Sequence, residues 1–260
     1  MSKSLIALSL VAACSFGDNR LAPHGNDNPD APGSPDARAH EDAPSSEHDA
    51  PVQHDAAPPA CTLVPQSGCS GADPACDLTA ADDGTVGCRA VTKQGVSNSH
   101  CALDTDCKTG YTCVHDDANS ADAPWCARFC DVDGDCTGIG SRCVDQLVDH
   151  NDHGLGIYTC SNSCDVYEQA RCPSGMGCLG FTDAGGNYTD CAYMGTTPDG
   201  DACTASDQCE LGSSCVTVGG ASTCAAYCLF GDDTTCDGTE LCNEFATPLT
   251  INGVEYGFCQ

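Results

Sequence analysis

The stretch Cys203-Thr-Ala-Ser-Asp-Gln-Cys209-Glu-Leu-Gly-Ser-Ser-Cys215 decides how this chain is read, because its spacing recurs. Cys101-Ala-Leu-Asp-Thr-Asp-Cys107-Lys-Thr-Gly-Tyr-Thr-Cys113 repeats it, and Cys130-Asp-Val-Asp-Gly-Asp-Cys136-Thr-Gly-Ile-Gly-Ser-Arg-Cys143 differs by one residue. Each phrase is closed by a fourth cysteine. From Cys61 to Cys259 there are 24 cysteines, in six groups of four. Unit 1 holds Cys61, Cys69, Cys76 and Cys88; unit 2 holds Cys101, Cys107, Cys113 and Cys126; unit 3 holds Cys130, Cys136, Cys143 and Cys160. Unit 4 holds Cys164, Cys172, Cys178 and Cys191; unit 5 holds Cys203, Cys209, Cys215 and Cys224; unit 6 holds Cys228, Cys236, Cys242 and Cys259. Gly110, Gly140, Gly175 and Gly212 each stand three residues before a third cysteine, which predicts a turn of positive φ there.

Composition sets the class. Leu, Ile, Val and Phe together are fewer than one residue in five, and aromatics are 5%. So little apolar area predicts no large core. Cysteine, 25 of 260 residues, puts the chain among disulfide scaffolds of an oxidising, extracytoplasmic compartment. A net charge of −29 excludes ordinary nucleic-acid binding and a basic lipid-binding face, and keeps the chain soluble.

Within a unit, the run from third to fourth cysteine reads as a β-hairpin. Turn signals are Gly219-Gly220 in unit 5, Asn252-Gly253 in unit 6 and Asp183-Ala-Gly-Gly186 in unit 4. Five of the six third-to-fourth spacers are even, which puts both cysteines on one hairpin face. From there both reach the loop carrying the first two. First-to-third with second-to-fourth pairing is favoured on this ground. Third-to-fourth pairing is the alternative, above all for Cys215 and Cys224. No useful helical stripe follows Cys14. The expected fold class is small and disulfide-rich, with six tandem four-Cys units, short hairpins and little helix.

Residues 1–13 read as a signal peptide: Lys3 gives a positive start, and Leu5–Val11 an apolar run too short to span a bilayer. Val11-Ala12-Ala13-Cys14 resembles the lipobox of bacterial lipoproteins, with Val11 in place of the commoner Leu. The resemblance implies lipidation at Cys14 and a membrane partner through that anchor; Ser15 in place of Asp implies the outer membrane or cell surface. Cys14 is also the one cysteine outside the six groups. Residues 14–60 form a Pro-, Asp- and Ala-rich tether that cannot repay the entropy of folding. As a coil it would span about 40 Å. It carries His24, His40, His48 and His54, read as a solvated linker rather than a metal site. Longer joins at Arg89–His100 and Ala192–Ala202 divide the rest into 61–88 (unit 1), 101–191 (units 2–4) and 203–259 (units 5–6).

The spacing over Cys61–Cys259, with a few Asp and Gly positions, resembles small extracellular modules such as the Dickkopf N-terminal and EB types. It is similar also to Cys-rich lipoproteins of myxobacteria. The animal modules mostly bind proteins, so the resemblance implies an interaction role.

Recognisable catalytic chemistry is absent. There is no Cys-x-x-Cys, His-Glu-x-x-His, Gly-x-Ser-x-Gly or phosphate-binding glycine loop. No enzyme, no cofactor and no nucleic-acid partner is expected. Asp131, Asp133 and Asp135 open like a calcium loop, but Cys136 stands where that loop needs Gly and Arg142 where it needs Glu. They are weak metal candidates and read first as a solvated turn. His150 and His153 read as a polar hairpin tip, Asn187 as a glycosylation sequon if the source is eukaryotic, and Trp125 as packed on a disulfide. The expected function is a surface-displayed structural or protein-interaction module. The alternative is a calcium-binding surface protein using its clustered Asp residues.

Overall fold

Each hairpin is built around where its two cysteines must stand. In the computed structural model, which describes Arg20–Leu21 and residues 61–260 apart from 81–82, 115–123 and 150, the third and fourth cysteines of every unit lie directly opposite each other across an antiparallel pair. They do not bond to one another. All twelve disulfides join first to third and second to fourth within a unit, with Cα–Cα distances of 5.5–6.0 Å. Side chains on one hairpin face thus reach separately to the loop laid across that face.

The strands are β1 (Arg20–Leu21), then β2 (Ala75–Ala80) and β3 (Thr85–Arg89) of unit 1, and β4 (Tyr111–Val114) and β5 (Trp125–Cys130) of unit 2. Unit 3 contributes β6 (Cys143–Val148) and β7 (Gly154–Cys160), and unit 4 β8 (Met176–Asp183) and β9 (Gly186–Tyr193). Then come β10 (Ser213–Val218) and β11 (Ala221–Leu229) of unit 5, and β12 (Cys242–Ile251) and β13 (Val254–Cys259) of unit 6. The only helical pieces among the described residues are short 3-10 turns at Asp104–Asp106, Asp133–Asp135, Ser206–Gln208 and Asp233–Thr235.

Turn chemistry follows the sequence. Gly219 and Gly220 have φ of 61° and 88°, Asn252 and Gly253 51° and 80°, so both are two-residue turns needing positive φ twice. Unit 1 has the single odd spacer, and a bulge absorbs it. Leu78 pairs with Val86 and Ala80 with Thr85, leaving Thr79 as the extra residue while Cys76 still faces Cys88. In unit 6 the same device is larger. Glu244 pairs with Gly257 and Leu249 with Tyr256, so Phe245–Pro248 are looped out of the ladder.

The units are fused in pairs. β5 carries both Cys126 of unit 2 and Cys130 of unit 3, and β11 carries Cys224 of unit 5 and Cys228 of unit 6. Two sheets result, ordered β1-β6-β7-β5-β4 and β10-β11-β13-β12, so units 2–3 and units 5–6 share one strand order. Units 1 and 4 keep separate two-stranded sheets. They share an internal arrangement too, with isolated bridges Thr62 to Ser67 and Asp165 to Ala170. The segments that follow them make equivalent parallel bridges, Gly95 to Cys107 and Thr197 to Cys209. The Cys-rich region is therefore one three-unit block built twice, units 1–3 and units 4–6.

Composition predicted no large core, and here the structure differs. One buried cluster runs from Leu78 in unit 1 through Val114, Trp125, Phe129 and Leu147 to Val166, Met176, Tyr227, Leu249 and Tyr256. Each unit supplies only a few apolar groups. Shared strands bring those groups together, so six small faces make one seam. Trp125, 1% exposed, lies in it.

Residues 1–13, expected as a signal peptide, together with Cys14, His24, His40, His48, His54 and His150, lie outside the described residues. Within the stretch expected to lack order, Arg20 and Leu21 pair antiparallel with Val148 and Leu147. An open sheet edge offers backbone partners even to a polar, proline-rich segment.

Candidate interaction site

The acidic phrases have a structural use that the repeat makes plain. The third and fourth cysteines face each other as a non-hydrogen-bonded pair, so the third cysteine's N–H points away from its partner strand and needs an acceptor. Every unit supplies one. Asp104 Oδ1 accepts from Cys113 N at 3.1 Å, Asp133 Oδ1 from Cys143 N at 2.9 Å, and Asp233 Oδ1 from Cys242 N at 3.1 Å. Ser206 Oγ accepts from Cys215 N at 3.1 Å. In units 1 and 4 an amide does the work: Gln66 Oε1 accepts from Cys76 N and Gln169 Oε1 from Cys178 N, each at 2.8 Å.

The residue before the second cysteine makes a second clasp. Asp106 Oδ2 accepts from Ala102 N, Asp135 Oδ2 from Asp131 N and Val132 N, Gln208 Oε1 from Thr204 N and Thr235 Oγ1 from Leu229 N. These are the groups that give the Asp-x-Asp pattern its spacing.

The candidate calcium residues are accounted for in these terms. Asp133 holds the Cys143 amide and, through Oδ2 at 3.0 Å, Arg142 Nε; the amide and then Arg142 keep its carboxyl below the usual range. The Asp131 and Val132 amides do the same to Asp135. Asp131 is exposed and enters the cluster through its backbone N–H. Arg142 is the cation of this corner: it also pairs with Asp183, donates to Gly186 O at 3.2 Å, and lies 5.7 Å from the Tyr188 ring, tying unit 3 to the unit 4 turn. Sulfur triads such as Cys101, Cys107 and Cys113 would suit a metal as thiolates, but all are spent in disulfides.

Other singled-out residues are engaged locally. His153 Nδ1 stands 3.1 Å from Asp149 Oδ2, and the His153 and Asn151 amides donate to Asp149 Oδ1. The His153 amide is the chief cause holding Asp149 down at about 2. Asn187 Nδ2 donates to Pro248 O at 2.9 Å, so the sequon side chain is committed to unit 6.

Sequence reading missed a buried pair. Asp77 is fully buried beside Arg89, whose guanidinium also reaches Cys107 O at 3.1 Å and Tyr111 O, locking unit 1 onto unit 2. Burial pushes the Asp77 carboxyl up to about 7; the Asp104 carboxylate adds to the rise and Arg89 opposes it. The only signal was an acid and a base each directly following a cysteine.

It also missed a groove of about 660 Å³. The two outer strands of the second sheet face one another across it: β10 contributes Ser214–Val218, and β12 contributes Glu244–Thr247 and Leu249. Tyr227 and Phe258 line it from the middle strands, and Gly180 and Thr182 of β8 close one side. Four-residue looping in β12 opens this space. Nothing in the spacing announces it.

Comparison with protein-family models, curated proteins and solved structures finds no match. Function therefore rests on the chain itself. Twelve disulfides place this Cys-rich repeat protein in an oxidising, extracytoplasmic setting. Among the described residues no helix is long and apolar enough to cross a membrane.

Proposed function

We propose that this chain is a lipid-anchored surface protein of bacterial type, whose stapled units act as a structural or protein-interaction module. The observation that carries it is the cysteine arithmetic. Twelve disulfides use 24 of 25 cysteines, and the one left over, Cys14, ends the lipobox-like Val11-Ala12-Ala13. Acylation at Cys14 would hold the module at the outer membrane or cell surface, two or more chains giving firm anchoring where one is marginal. The Dickkopf and EB likeness in spacing supports protein binding as the use of such a scaffold. The test is detergent-phase partitioning and intact mass of wild type and Cys14→Ala. Wild type should carry acyl mass and partition with membranes, and the variant neither; acyl-free wild-type protein would end this reading.

The calcium alternative loses its main support, because the carboxylates of Asp133 and Asp135 already serve backbone amides and Arg142. Calorimetric titration with calcium decides it. Saturable binding would restore it.

A further inference from the structure

We propose that the groove between β10 and β12 accepts an extended peptide from a partner protein, which adds as a strand. The inference rests on the interaction-module reading and says where and how that module binds. The chain supplies its own precedent. β12 in the second block corresponds to β6 in the first, as the shared strand order shows. The side of β6 away from β7 carries an added antiparallel strand, Arg20–Leu21, in register with Val148 and Leu147. The matching flank of β12 has no such strand among the described residues, and there the groove lies.

The two blocks differ where this matters. Val114 and Phe129 in the first block stand where Val216 and Tyr227 stand in the second, one residue after the third cysteine and three after the fourth. Val114 and Phe129 are sealed in the main core, whereas Val216 and Tyr227, buried on their inner sides, form the floor of the groove.

The facing edge has hydrogen-bonding capacity. Cys215 N–H is directed away from β11, where Ser206 Oγ takes it. Thr217, two residues on, presents its N–H to the same side, toward the groove it lines. Main-chain bonding of this kind gives affinity, and side-chain pockets at alternate positions give specificity.

Charge fixes the chemistry of the occupant. Among the described residues Glu244 is the one charged group lining the groove, and the chain as a whole carries −29. The expected occupant is an extended segment with apolar side chains at alternate positions, seated over Val216, Phe245 and Phe258, and a lysine or arginine set against Glu244.

The experiment uses the whole mature chain with Cys14→Ser, and a displayed library of random linear octapeptides as probe. Selected sequences should alternate apolar residues and carry a cation. On binding they should slow hydrogen exchange at 215–219 and 244–249. Thr217→Pro removes an outward N–H from an edge strand and spares the backbone ladder, losing beside it only the Thr217 Oγ1–Ser222 Oγ contact, and should weaken binding by about tenfold or more. Glu244→Lys should abolish the cation preference. Unchanged thermal melting of both variants separates lost binding from lost folding. The proposal is overturned if no peptide is enriched over the Thr217→Pro protein, or if protection falls outside the groove. A solution dimer that Thr217→Pro dissociates would equally overturn it, making a second copy the occupant. A natural partner retained by Thr217→Pro would overturn the groove alone and leave the interaction-module reading standing.

Discussion

Gln66 and Gln169 do the same work in units more than a hundred residues apart. Each side-chain amide accepts from the third cysteine's N–H and donates back to that cysteine's carbonyl, Cys76 or Cys178, at 3.0 Å. Each also donates to the carbonyl three residues before itself, Leu63 or Val166. The amide stands in for one residue of a neighbouring strand, so it blunts the open edges of β2 and β8.

Replacing Gln169 with Leu should leave the N–H and C=O of Cys178 unpaired while both disulfides of unit 4 persist. The expected cost is about 1–3 kcal/mol, read as a lower Tm with unchanged disulfide mapping. Gln66→Leu should give a similar loss in unit 1. Equal melting of wild type and both variants would show that these amides are decoration.

Arg89→Met isolates the buried carboxyl of Asp77. Removing one partner of a buried pair costs about 3–5 kcal/mol. The pH dependence has a definite sign. The unfolded carboxyl titrates near ~3.9, whereas folded Asp77 is raised to about 7. Between those values the folded state holds the extra proton, so this group's contribution to stability falls as pH rises through that window. Asp77→Asn should flatten the fall, and Arg89→Met should extend it to higher pH. Melting curves from pH 4 to 8 that keep one shape in all three proteins would refute this.

Much of this architecture was legible because disulfide geometry is local. Even spacers placed Cys113 opposite Cys126 and Cys215 opposite Cys224. Gly219-Gly220 and Asn252-Gly253 marked their turns by the φ they require. What was not legible arises between units. The join from Cys126 to Cys130 and the join from Cys160 to Cys164 both have three residues, yet the first is one continuous strand and the second is not. Spacer length cannot report whether strands pair: the short join of units 5 and 6 does accompany a shared sheet, whereas the equally short join of units 3 and 4 does not. The acceptors for the third cysteine were in view as Asp104, Asp133 and Asp233. Their role shows only when the hairpin turns that N–H toward them. The groove depends on Phe245–Pro248 leaving the ladder, which no local preference dictates.

Arg142→Ala removes the cation held by Asp133 and Asp183 and the donor to Gly186 O. Hydrogen exchange should quicken at 183–186 and around Cys143, with the disulfides unchanged. Calcium should not raise the Tm of wild type, since ligand binding to the folded state alone would stabilise it in proportion to occupancy. A calcium-dependent rise that is lost in Asp133→Asn would overturn the structural account of this corner.

The final prediction compares two disulfides that close equal loops. Cys69–Cys88 and Cys107–Cys126 each span a sequence separation of 19. In the chain-entropy model each restricts the unfolded state by roughly 3 kcal/mol, so unfolded-state effects cancel between them. The folded contexts differ. Cys88 lies near the end of β3, which among the described strands pairs only with β2. Cys126 lies on β5, which pairs with β4 of unit 2, then with β7 of unit 3, and carries the buried Trp125 and Phe129 between. Replacing Cys69 and Cys88 with Ser should loosen unit 1 and leave exchange in β6 and β7 near wild type. Replacing Cys107 and Cys126 with Ser should loosen unit 2 and also raise exchange at Thr159 and Tyr158, the partners of Phe129 and Cys130. Equal, purely local effects from the two replacements would mean that the shared strand transmits nothing, and that the units behave as separate beads despite their common sheet.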